Sequence, residues 1–75
     1  AYPTEVTVIY SSAPLDALID YYEDDSLANG GVGFDLFPDG RQWDVQGIEI
    51  SVTSVDRVTH PNRPEGVVLF VRLGG

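Results

Sequence analysis

The sequence predicts an α+β fold: a single helix packed on one face of a four- to five-stranded, mainly antiparallel sheet, in the order β-α-β-β-(β)-β. Three observations predict it. Residues 5–10, EVTVIY, are β-branched and alternate. Residues 11–24, SSAPLDALIDYYED, carry an apolar stripe at helical spacing. From Val32 onward the apolar residues follow a period of two and never return to the helical one. Seventy-five residues make one domain, 1–75, which buries only somewhat more than about 60% of its unfolded surface and gains from any partner that covers apolar groups.

In the first strand Val6, Val8 and Tyr10 share a face. For the helix, Ser12 is the expected N-cap, with Pro14 in the first turn where its missing N–H costs nothing and Asp16 suiting the positive helix end. Leu15, Leu18, Ile19 and Tyr22 form the face laid on the sheet, with Asp16, Asp20 and Glu23 turned outward. The helix ends before or within SLANGG, where Asn29, Gly30 and Gly31 suit a C-terminal cap. Val32, Phe34 and Leu36 alternate as the next strand, and FPDGR reads as a type I turn with a following bulge. Trp43 and Val45 point inward on the third strand. Apolar parity then flips to Ile48, Ile50 and Val52, so Gly47 is either a bulge or the second residue of a Gln46-Gly47 turn into a separate strand. A polar loop, THPNRPEG, leads to Val67–Leu73, apolar on both faces apart from Arg72 and therefore expected inside the sheet.

One helix covers one face of such a sheet. Candidates for the other include some of the large apolar groups Ile9, Phe37, Val68 and Phe70. Phe37, Val68 and Phe70 are accordingly expected to bind a partner.

The charge is lopsided. Residues 1–40 hold eight acids and no Lys or Arg, so the whole net charge of −8 belongs to the first half. Such a chain is repelled by nucleic-acid phosphates and by anionic membrane surfaces, and no apolar run is long enough to span a bilayer. Direct nucleic-acid and membrane binding are not expected. Acids at the helix C-terminus oppose the macrodipole, which makes Asp20, Glu23 and Asp24 a second candidate surface, a docking face that could mimic nucleic-acid charge toward a basic partner. Glu23, Asp24 and Asp25 lack the spacing of a calcium loop, so they are not read as a metal site.

Catalytic and cofactor chemistry finds little to stand on. The absence of Cys removes disulfides, thiolate metal sites and a Cys nucleophile. The single His60 sits in a Pro-bounded polar loop without a nucleophile motif. ANGGVGF follows a helix and precedes a strand, the reverse of a phosphate cradle. Neither enzymatic activity nor a cofactor is expected.

The terminal segment VVLFVRLGG resembles the end of ubiquitin-like modifiers and sulfur carriers, whose Gly-Gly carboxylate is adenylated and transferred. The resemblance covers about nine of the 75 residues and implies that role for Gly74 and Gly75. That family's β-grasp fold opens with a hairpin before the helix, whereas one strand precedes it here. The leading expectation is a non-enzymatic interaction or assembly protein, a small acidic subunit of a larger complex or viral particle, working as a homo-oligomer or with a protein partner. The modifier and the acidic charge mimic are the alternatives. The start at Ala1 fits removal of an initiator Met or cleavage of an earlier signal, and a cytoplasmic or virion location is expected over a secreted one.

Overall fold

The structure, a computed structural model, describes residues 3–54 and 66–73. The His60 loop, Gly74 and Gly75 lie outside the described residues. The elements are β1 (Pro3–Ser11), α1 (Leu15–Ala28), β2 (Val32–Asp35), β3 (Arg41–Val45), β4 (Ile48–Ser54) and β5 (Gly66–Leu73). The five strands form one sheet in the order β1-β5-β4-β3-β2, antiparallel at every step, with the helix against one face. The α+β arrangement expected from the sequence is the one present.

The helix begins later than the capping residues imply. Pro14, not Ser12, takes the N-cap place, and no side chain caps the helix. The hydroxyl of Ser11 instead accepts the Ala13 N–H at 3.1 Å. At the other end the Gly31 N–H donates to the Ser26 carbonyl at 2.8 Å and the Gly30 N–H to that of Leu27 at 3.1 Å. This pair of bonds is the Schellman motif, which satisfies carbonyls the helix leaves open.

The β3–β4 connection is a two-residue turn with positive φ at both Gln46 (50°) and Gly47 (83°), the requirement of a type I′ hairpin. Of the two readings of Gly47, the turn is correct, and it reconciles the parity flip: Trp43 pairs with Ile50 and Val45 with Ile48, all on one face. The β2–β3 loop departs from the expected type I turn. Phe37–Pro38 is cis and Gly40 has φ 105°, with the loop closed by the Leu36 N–H donating to the Gly40 carbonyl at 3.1 Å.

Pairing register decides which face is buried. Trp43, Ile50 and Phe70 lie in one row across β3, β4 and β5, and Val52, Val68 and Ile9 in another across β4, β5 and β1. Both rows face the helix. Trp43, Ile50, Val52 and Val68 are buried beneath Leu15, Leu18, Ile19 and Tyr22, as the helical stripe predicts. Trp43 is fully enclosed (0% exposed) and fits because Gly33 is its direct partner on β2. A Cβ at Gly33 would stand 2.6 Å from the indole Cδ1.

Candidate protein-interaction surface

The same register that buries Trp43 turns a second set of side chains away from the helix. On β1 these are Val6, Val8 and Tyr10, paired with Val71, Leu69 and Val67 of β5. On β4 and β3 the corresponding positions are Glu49, Ser51 and Thr53, then Gln42 and Asp44. The uncovered face is therefore divided. Its β3–β4 part is polar, with the Gln42 amide donating to Glu49 Oε1 at 3.0 Å; its β5–β1 side is an apolar strip, and β2, beyond the polar part, adds the exposed Val32 and Phe34.

On the strip Val6 is 56% and Val8 48% exposed, and Tyr10 is also exposed. Ile9, pointing to the opposite side of β1, is 43% exposed as well, at the edge of the sheet remote from β2, β3 and β4, on which the helix chiefly packs. β1 thus shows apolar groups on both faces and, among the described residues, its outer backbone edge pairs with no strand. Edges of this kind are normally blunted by Lys, inward-pointing charge, short length or bulges. β1 has nine residues, no Lys, and an irregularity only at its start, between Pro3 and Glu5. Its one acid, Glu5, lies 3.9 Å from Arg72. The other edge, β2, has four residues and is closed by charge: Arg41 Nη1 donates to Asp35 Oδ1 at 2.7 Å and Arg41 Nε to Glu23 Oε2 at 2.6 Å.

No protein family, curated protein or solved structure matches this chain. Its surface must therefore be read from its own chemistry.

The residues singled out for partner binding are scattered. Val68 is 1% exposed and belongs to the core; Phe70 is half-buried, its ring edge-on to Tyr22 with centroids 5.7 Å apart. Both were, with Ile9, candidates for the face away from the helix. The β4–β5 and β1–β5 registers put all three on the helix side. Phe37 stands at the loop tip, 93% exposed, apart from the strip on β1 and β5. Asp20 and Asp24 are exposed on the helix. Glu23 is half-buried rather than turned outward, because Arg41 holds its carboxylate. The hydrogen bonds from Arg41, that to Glu23 foremost and that to Asp35 next, raise its pKa further.

Sequence reasoning missed Val6 and Val8 as surface residues, although it placed them with Tyr10 on a common face. A shallow groove of about 200 Å³, lined by Glu5, Thr7, Ile48, Phe70 and Arg72, opens on the helix side of the same strands. Among the described residues no group of three or more acids or His could hold a metal ion, and no helix is long and apolar enough to cross a membrane.

Proposed function

We propose that this chain is a non-enzymatic protein-interaction and assembly protein, an acidic subunit of a larger complex, and that it engages through the β1–β5 strip. One observation carries the reading. Val6, Val8 and Tyr10 stand exposed on a face with no covering layer among the described residues, continuous with Val67, Leu69 and Val71. Burying apolar area is worth about 25 cal/mol per Å², and a domain this small gains proportionately from a contact that supplies it.

Light scattering over a concentration series, run beside titration with a dye that binds apolar surface, tests this. The expected result is dye binding together with association that rises with concentration, the dye binding being lost when Val6 and Val8 are both replaced by Thr. A strict monomer that takes up no dye overturns the reading.

A further inference from the structure

Resting on that reading, we infer that the occupant of the β1 edge is a second copy of this chain, its β1 paired antiparallel to the first about a two-fold axis through Val8. The two five-stranded sheets then become one of ten strands, within the range that open sheets reach.

Three features favour this occupant. The first is self-complementarity. Antiparallel pairing places directly opposite residues on one face, so a symmetric register must be centred on a residue. Centring on Val8 sets Val8 against its own mate and Val6 against Tyr10 on the uncovered face. On the helix side it sets Thr7 against Ile9 and Glu5 against Ser11. Exposed apolar groups of the strand thereby gain cross-strand partners of the kind that stabilise sheets, and the two Glu5 carboxylates end about 20 Å apart along the strands. Centring on Val6 instead would bring those carboxylates within about 7 Å and leave Tyr10 and Ser11 beyond the paired stretch.

The second feature is charge. Two copies at −8 each repel overall, so they approach best through their least charged side. The exposed Asp16, Asp20 and Asp24 ride on the helix, which packs chiefly on β2, β3 and β4, while the β1 end carries Glu5 beside Arg72. A β1–β1 contact puts the acidic halves outermost. The third is size. The stretch that this register pairs, residues 5–11 of β1, is about 24 Å long, and a sheet is about 10 Å thick, giving a footprint of about 240 Å² per partner. Stable interfaces hide about 800 Å² per partner, so the contact is reversible and its population rises with concentration, as suits a unit that adds to an assembly.

A single cysteine tests the register, because the chain has none of its own. Val8→Cys places two thiols opposite each other at the Cα separation of about 4.5–5.5 Å that antiparallel partners adopt and a disulfide accepts. Under mild oxidation Val8→Cys should give a covalent dimer, while Ser51→Cys, on the polar part of the same face, should not. Val8→Lys, folded by circular dichroism, should raise the dimer dissociation constant about tenfold by setting like charges opposite each other. Association that persists unchanged in Val8→Lys, or equal cross-linking of the Val8→Cys and Ser51→Cys variants, overturns the β1 pairing and leaves the assembly reading standing through another surface. A protein that binds the dye yet stays monomeric at every concentration overturns self-pairing in favour of a different partner. A monomer that binds no dye overturns both.

Discussion

Trp43 and Gly33 act as a unit. The indole occupies the space a β2 side chain would fill, and in a close-packed interior neither member changes alone without cost. Trp43→Ala should lose about 3–5 kcal/mol, a large share of what a domain of this size has, seen as a collapse of the urea midpoint. Gly33→Ala should cost about 1–3 kcal/mol by overpacking, measured the same way. Ser26 predicts the opposite sign. It is 1% exposed on the helix, and its hydroxyl has no hydrogen-bond partner among the described residues. Ser26→Ala removes that polar atom and improves helix propensity, for an expected gain of about 0.5–1 kcal/mol. Tyr22 contributes a pH dependence. Burial first, then the neighbouring Tyr21 and Asp25, raise its pKa above the ordinary 10.0. The folded state therefore favours the neutral phenol. That stabilisation is complete below pH 10.0 and is lost as pH climbs through the folded value. Urea midpoints followed into this alkaline range should fall less in Tyr22→Phe than in the parent.

At the level of elements, the turn at Gln46-Gly47 is the most exacting piece of local chemistry. Gln46 holds a φ of 50° that Asn tolerates far better, and Asn-Gly is the preferred type I′ pair. Gln46→Asn should raise the melting temperature by a few degrees, although it gives up the 3.4 Å bond from the Gln46 amide to the Asn29 carbonyl; a fall in the melting temperature would show that bond to matter more than the turn. The strands and the helix were legible in the sequence because period and turn residues are local signals. Which face of the sheet the helix takes was not. Alternation says that Val6, Val8 and Tyr10 share a side, but it is symmetric between the two sides. β5 is apolar on both and cannot break the tie. The tie is broken by register, which runs from the Trp43–Ile50–Phe70 row through β5 to β1 and so makes Val68 core and Val8 surface. The Glu23–Arg41 pair was hidden for a similar reason, since its partners are 18 residues apart and meet only when the helix lies across the sheet.

For the whole molecule, the arrangement of charge separates an apolar mode of assembly from an electrostatic one. Association through β1 should hold or rise in sodium chloride, which screens the repulsion between two copies at −8 each, and should be stronger in sulfate, which favours burial of apolar surface. A basic partner seated on the acidic helix would instead dissociate as salt screens surface charges beyond about 8 Å. Asp20→Asn with Asp24→Asn tests the helix without touching Glu23, whose carboxylate Arg41 needs. Light scattering should find association undiminished in this double variant, and its loss in a folded protein would make the acidic face the functional surface. Because the chain has one Trp and it is enclosed on β3, with β4 and β5 between it and β1, the molecule carries an optical reporter deaf to assembly. Its emission should lie to the blue, as for an indole out of water, and should change when the domain unfolds but not when a second copy docks on β1.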